Sequence, residues 1–215
     1  MKDFIITSNG LKYENKHFYL KQEKKLKELN KKFSKKINGS KNKNKIRIKI
    51  AKLNEKIANQ RNNYIHYITS QLVDENQIIC VEDLNVKGMI KNHKLAKSIQ
   101  DCSFSKFIET LSYKCLNNKR KLVKIDRFYP SSKICNCCGY KKVDLKLSER
   151  EWVCPVCGTK VDRDINAAKN ILKEGLRIIG LSSPEFTLVD YPTMDDKREI
   201  SLKSSDRLKQ EKNVK

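Results

Sequence analysis

The apolar positions change their period several times along the chain. Phe4, Ile5 and Ile6 form a short run of strand formers, Ser8-Asn9-Gly10 interrupts it, and Leu11 to Glu14 resumes beyond. Asn-Gly suits positive φ, so residues 4–14 are predicted to form a β-hairpin. Leu26, Leu29 and Phe33 then mark a short helix, which Asn38-Gly39-Ser40 breaks. Ile46, Ile50, Leu53, Ile57, Tyr64, Ile68 and Leu72 recur at spacings of three, four and seven, the stripe of a long amphipathic helix. Residues 19–75 are therefore expected to form an antiparallel helical hairpin. Gln77 to Val81 is continuously apolar rather than alternating, which predicts a buried strand, central in a sheet, ending at Glu82-Asp83. A loop is expected from Leu84 to Leu95. Ile99, Cys102, Phe107, Ile108, Leu111 and Cys115 predict one helix over 98–118, with Ser98 or Asp101 as its cap. Leu122 to Ile125 reads as another strand, and Asp164 to Arg177 as the last strong helix. After Gly180 the periodicity fades. Phe186 to Val189 is a candidate short strand, and the rest of the terminus is expected to be flexible.

Charge narrows the picture. The 215 residues carry 47 basic against 25 acidic groups, a net charge of +22. That imbalance argues against an enzyme of small metabolites and for a polyanionic partner, of which nucleic acid is the commonest. Between Lys21 and Arg61 there are 16 basic and 3 acidic residues, whereas residues 181–215 are balanced at seven each. A merely solvated helix face would leave those cations to repel one another, so phosphate contact is the better reading. Lys24, Lys31, Lys35, Lys43, Lys45, Arg47, Lys49 and Lys52 are the candidate contacts. Met1-Lys2-Asp3-Phe4 is no signal-peptide start, and no apolar run approaches a membrane span. An intracellular protein is expected, and in that compartment paired cysteines point to metal rather than disulfides.

Four of the eight cysteines fall in two C-x2-C knuckles, Cys135/Cys138 and Cys154/Cys157, fifteen residues apart and each followed by glycine. Four thiolates in a tetrahedron are a structural zinc site with no open position. Cys137 is read as a bystander. Cys80, Cys102 and Cys115 are read as small core residues, and Trp152 is expected to pack over the knuckles. Glu82 at a strand end, with Asp162 and Asp164 before a helix, fits divalent-metal chemistry on a phosphodiester. Taken alone, each acid also fits a plainer role: Glu82 as a cap, Asp83 as a surface acid, Asp164 as the helix N-cap.

Several blocks together carry a resemblance. They are Val81-Glu82-Asp83-Leu84-Asn85-Val86-Lys87-Gly88-Met89, Asn92-His93-Lys94-Leu95-Ala96 and Asp126-Arg127-Phe128-Tyr129-Pro130-Ser131-Ser132-Lys133, followed by the knuckles and Asp162-Arg163-Asp164-Ile165-Asn166-Ala167-Ala168-Lys169-Asn170. In this order they resemble the OrfB/TnpB-type transposon-encoded proteins, which carry a RuvC-like nuclease domain with an inserted zinc ribbon and are relatives of type V CRISPR effectors. The resemblance implies guide-RNA-directed, Mg2+-dependent cleavage of DNA and a role in transposition or recombination. It implies Glu82 as the second active-site acid and Asp164 as the third, with Asp162 less favoured. It further implies Arg163 near the scissile phosphate, Asn166 at the metal shell, and Ala167 and Ala168 permitting close helix packing. Asp83 and Asp126 are left structural, and His93 either touches nucleic acid or is solvated.

The resemblance also shows a departure. The family opens its nuclease core with a Gly-x-Asp-x-Gly strand that supplies the first metal ligand, and the chain is expected to start just past that Asp, with Asp3 no substitute. The family's N-terminal grip on guide RNA and target is expected to be missing too. The expectation is thus an α/β chain: an RNase H-like (RuvC-type) mixed sheet with an inserted helical hairpin and zinc ribbon, its first strand incomplete. Its parts would be a core at 1–129 (hairpin at about 19–75), a zinc ribbon at 130–161, a final helix at 162–180 and a tail at 181–215. Zn2+ is expected, with Mg2+ binding weakened or lost. The expected partners are DNA and guide RNA, with no membrane and no small-molecule substrate, in a prokaryotic cytoplasm at the nucleoid. Cleavage is expected to be weak or absent, and the alternative is a nuclease-dead zinc-ribbon protein that binds DNA or RNA.

Overall fold

β1 (Asp3–Ile6) and β2 (Lys12–Glu14) form the antiparallel hairpin that the opening pattern predicts. The computed structural model describes residues 3–146 and 148–181. The hairpin loop closes through Thr7 N donating to Leu11 O and Gly10 N to Thr7 O, each at 3.0 Å. Gly10 holds φ +89°, a left-handed conformation that strains any side chain.

α1 (Phe18–Ser34) and α2 (Lys41–Glu75) follow. Ser40 caps α2, its hydroxyl accepting from Lys43 N at 3.2 Å. α2 serves two cores. Its first half, through Leu53 and Ile57, closes on Leu26 of α1 with Phe18, Tyr19, Leu29 and Ile50 around them. Its second half enters the main core with Phe4, Tyr13, Ile79, Ile99, Phe107 and Leu111. The change of partner moves the buried face: Ile65 and Val73, each 1% exposed, are buried more deeply than the predicted Tyr64 and Leu72, which pack at the edge.

β3 (Ile78–Glu82) pairs in parallel with β4 (Lys121–Ile125), from Ile78 opposite Lys121 to Glu82 opposite Ile125. A parallel pair needs a crossover, and helices supply it. Among the described residues β3 has no second strand partner, so the expected central position is not seen. The expected loop contains a short helix, α3 (Val86–Ile90), capped by Asn85 Oδ1 accepting from Gly88 N at 3.0 Å. The single helix expected over 98–118 is two, α4 (Ala96–Cys102) and α5 (Phe104–Asn117), split at Ser103 with φ +52°. Asp101 does not cap its own helix. Its buried carboxylate accepts from Tyr19 N at 2.9 Å, in the first turn of α1, and from Arg61 at 3.2 Å. A residue from the crossover therefore completes the start of the basic hairpin.

β5 (Glu151–Val153) and β6 (Lys160–Asp162) are antiparallel and lead directly into α6 (Arg163–Ile178). Gly175 of α6 lies against β3: a Cβ there would stand 2.3 Å from Cys80 Sγ. That contact needs glycine for space rather than for φ, and it seats α6 on the β3–β4 pair. The chain to Gly175 packs as one unit, and a second begins at Leu176. The short strand and flexible tail expected beyond Gly180 lie outside the described residues, apart from Leu181.

Candidate functional site

The knuckles fold as two copies of one turn. Gly139 N donates to Cys135 O and Gly158 N to Cys154 O, both at 2.9 Å. The glycines hold φ +79° and +69° with nothing near an added Cβ, so conformation alone requires them. The turns bring the sulfurs of Cys135, Cys138, Cys154 and Cys157 within 4.8 Å of one another. Cys135 and Cys157 are 3.8 Å apart, and Cys138 and Cys154 are 3.5 Å apart. A tetrahedron with metal–sulfur bonds of about 2.3 Å has edges of about 3.8 Å, so the donor set and its size both suit a single metal ion. Trp152, 5% exposed, packs against Cys135, Cys154 and Val161 as expected. Cys137 is exposed and stands outside the group. Without an ion the thiols titrate apart. The Tyr140 amide favours the Cys138 thiolate, but desolvation and the neighbouring thiols outweigh it and push Cys138 up to about 12. The Thr159 hydroxyl, then its amide, bring Cys157 down to about 6. Burial raises Cys80 and Cys102 to about 11 and keeps them as thiols in the core.

Glu82 is the last residue of β3. Its Oε1 accepts a hydrogen bond from the buried Ser131 hydroxyl at 2.9 Å. It lines two clefts. One, of about 340 Å³, is walled by Tyr129, Pro130, Ser131, Ser132, Leu145 and three cations, Lys133, Lys146 and Arg163. The other, of about 700 Å³, runs past Asp83, Leu84, Phe104 and Tyr113 with Lys87, Lys124 and Arg127. Asp164 lies in the first turn of α6 and is held by Arg163 Nε and Arg150, each at 3.1 Å. Arg163 thus touches Asp164 and lines the smaller cleft with Glu82. Among the described residues no group of three carboxylates falls within metal-binding reach.

Asp162 takes the role that the plainer reading assigned to Asp164. Its Oδ1 accepts from the amides of Asp164 and Ile165 at 3.0 and 3.1 Å, capping α6, and its Oδ2 meets Lys12 Nζ at 2.9 Å. Burial pushes this carboxyl up, but the Lys12 bond and the two amides outweigh it and the net shift is downward. Asn166 is also placed differently from the metal shell that the resemblance implies. Its Nδ2 donates to Ile134 O at 2.6 Å and its Oδ1 accepts from Asn136 N at 2.9 Å, so both ends of the amide grip the chain around Cys135. Asp83 pairs with Arg127, and Asp126 accepts from Phe128 N at 2.7 Å, structural duties for both. His93 is exposed. Sequence reasoning passed over Ser131, Asn170 and Gly175. The available signal was Asn166 and Asn170, two amides four apart on one helix face.

On the helical hairpin, Lys24, Lys31, Lys35, Lys45, Arg47, Lys49 and Lys52 are exposed, and among the described residues none of them forms an ion pair. Lys43 departs from that set: it is half-buried, 4.7 Å over the Phe33 ring and bonded to Asn38. No helix among the described residues is long and apolar enough to cross a membrane.

The structure is a mixed α/β unit with a four-thiolate cluster and, at the end of β3, an acid in a cation-walled cleft. A family model described as "Probable transposase" (OrfB_IS605) matches residues 1–93, and a model of the "Cas12f1-like, TNB domain" matches residues 104–171. The chain belongs to the OrfB/TnpB-type transposon family. It is 40% identical over 172 residues to a "Putative RNA-guided DNA endonuclease" of Streptomyces pristinaespiralis, covering 80% of this chain and 42% of that protein. It is 30% identical over 187 residues to "Putative RNA-guided DNA endonuclease InsQ" of Escherichia coli K12, covering 80% and 46%. The chain thus spans less than half the length of these relatives. In fold it resembles the Cas12f1 chain of a Cas12f1–sgRNA–target DNA complex, with TM-score 0.52 and 17% identity over 82% of this chain and 44% of that one. A chain of a CRISPR-Cas12f ternary complex gives 0.53 and 21%, covering 82% and 35%.

Proposed function

We propose that this chain carries the RuvC-type nuclease core of a transposon-encoded, RNA-guided DNA endonuclease. Glu82 and Asp164 are its cation-holding acids, and Cys135, Cys138, Cys154 and Cys157 clasp one structural zinc. The observation that carries the reading is Arg163, which holds Asp164 and lines the cleft that Glu82 enters. An acid in a cleft with Lys133, Lys146 and an arginine that holds a second acid suits a phosphodiester: the cations draw in the anion and the acids keep a divalent ion beside it. Bound Mg2+ supplies Lewis-acid polarisation of the phosphate and a more acidic attacking water. The exposed cations of α1 and α2 bind the backbone of guide RNA or DNA without reading sequence.

In this reading the β1–β2 and β3–β4 pairs are parts of one RNase H-like sheet, although no strand ladder joins them among the described residues. The 215 residues contain no Gly-x-Asp-x-Gly. The reading calls for a third acid beside Glu82 and Asp164, and supplying one should raise cleavage by about a hundredfold or more. The test incubates purified chain and copurified RNA with Mg2+ and labelled DNA, beside a version preceded by a Gly-x-Asp-x-Gly strand. The extended version should cut and lose its activity on Glu82→Gln. Cutting that survives Glu82→Gln contradicts the assignment. Salt-sensitive binding with no cutting by either version favours the second reading, a nuclease-dead nucleic-acid-binding protein, to which the unpaired cations of the hairpin give independent support.

A further inference from the structure

Glu82 and the thiolate cluster are joined by a run of hydrogen bonds. Ser131, 4% exposed, donates its hydroxyl to Glu82 Oε1 at 2.9 Å. Its carbonyl accepts from Asn170 Nδ2 at 2.8 Å. The same amide donates to Ile134 O at 2.6 Å, where Asn166 Nδ2 also arrives at 2.6 Å. Asn136 N closes the set on Asn166 Oδ1 at 2.9 Å. The peptide groups on both sides of Cys135 are thereby fixed to α6, and so is the residue that holds Glu82. Asn166 and Asn170 are 3% and 2% exposed, and a buried amide kept on a helix is expected to spend its hydrogen bonds on something specific.

We infer that Ser131 is a positioning residue for Glu82, and that Asn166 and Asn170 tie that hydrogen bond to the thiolate cluster. The inference rests on the reading of Glu82 as a cation-holding acid. A carboxylate that binds a cation works best when one oxygen is fixed by an outer hydrogen bond, because its rotamer is then set before the ion arrives. β3 ends at Glu82 and cannot fix the carboxylate through the strand ladder. The segment entering the first knuckle does so instead, from 49 residues further along the chain. Folding of the thiolate clasp and orientation of Glu82 are therefore linked, and the linkage is reciprocal in binding. Ser131 touches no reacting atom in this account and acts through Glu82.

The test uses the zinc-loaded full chain and Mn2+ as the probe, read by loss of the free-ion EPR signal, with zinc content measured alongside. Ser131→Val and Ser131→Ala should weaken Mn2+ binding on the order of ten- to a hundredfold, the usual cost of losing an outer partner of a metal ligand. Ser131→Thr, which has the shape of valine and keeps the hydroxyl, should bind within a few-fold of wild type. Asn170→Ala should weaken Mn2+ binding in the same direction and loosen zinc as well. Unchanged Mn2+ binding in Ser131→Val and Ser131→Ala, while Glu82→Gln abolishes it, overturns the positioning role and leaves the reading of Glu82 standing. Loss of zinc from the two hydroxyl-free variants but not from Ser131→Thr assigns the hydroxyl to the fold and overturns it too. No Mn2+ uptake by wild type, or uptake indifferent to Glu82→Gln, removes the underlying reading and the inference with it.

Discussion

Cys135, Cys138, Cys154 and Cys157 come from 23 residues of chain, whereas Glu82 and Asp164 stand 82 residues apart in sequence. The thiolate corner is complete: four donors, two glycine turns and a tryptophan cover, all built by local backbone. The proposed carboxylate corner would draw on a strand end and a helix start, where arginines hold Asp164. The contrast separates two kinds of site. One is written in spacing and survives almost any context; the other exists only when β3, α6 and the segment between them are seated together.

The largest effect expected from breaking the comparison is at the thiolates. Cys154→Ser should abolish stoichiometric zinc and cost several kcal/mol, since structural zinc sites contribute folding energy outright; metal content and thermal melting read both. Asp101→Ala comes next. It removes the cap of α1 and leaves Arg61 part-buried without its partner, at about 2–3 kcal/mol in urea unfolding. Gly175→Ala places a methyl where Cys80 sits, an overpacking cost of about 1–3 kcal/mol that Cys80→Ala should partly relieve. Replacing Lys31, Lys35 and Lys49 together with alanine should flatten the salt dependence of RNA binding, by roughly one unit of slope for each phosphate no longer neutralised. Lys43→Ala should change the slope least, because Lys43 is engaged with Phe33.

The smallest effect is in pH. The folded-state pKa of Asp162 is depressed below 3.8, so its contribution is present above that value and lost as pH falls through the depressed one. Lys12 is raised above 10.5, chiefly by its bond to Asp162, so its share is present below 10.5 and lost as pH rises through the raised value. Stability attributable to the pair should be flat across neutral pH and fall away at both ends, shallowly, because both groups are partly exposed. Asp162→Asn should blunt the acid limb and loosen the start of α6.

Much of the fold was legible because its signals are local. Gly10 and Ser8 mark the hairpin, Gly39 and Ser40 the helical turn, and the C-x2-C-Gly repeats the knuckles. The errors share one cause. Ser103, where the predicted single helix breaks, carries no helix-stop signal; the break places Asp101 against a helix start 82 residues earlier. Ile65 and Val73 replaced Tyr64 and Leu72 because α2 changes partner halfway, which periodicity cannot report. Gly175 reads as a weak spot in a helix until Cys80 lies across it. Asn166 and Ser131 were legible as polar residues in recognisable blocks, but the carbonyl and carboxylate they serve are fixed only by the fold.

The carboxylate corner is where the central claim is most exposed, and anomalous diffraction from crystals soaked in Mn2+ tests it most directly. Two anomalous sites are predicted: zinc among the four sulfurs, and manganese in contact with Glu82 and Asp164 beside Arg163. Manganese absent from Glu82, or Glu82 and Asp164 directed to separate surfaces with the zinc site intact, would contradict it.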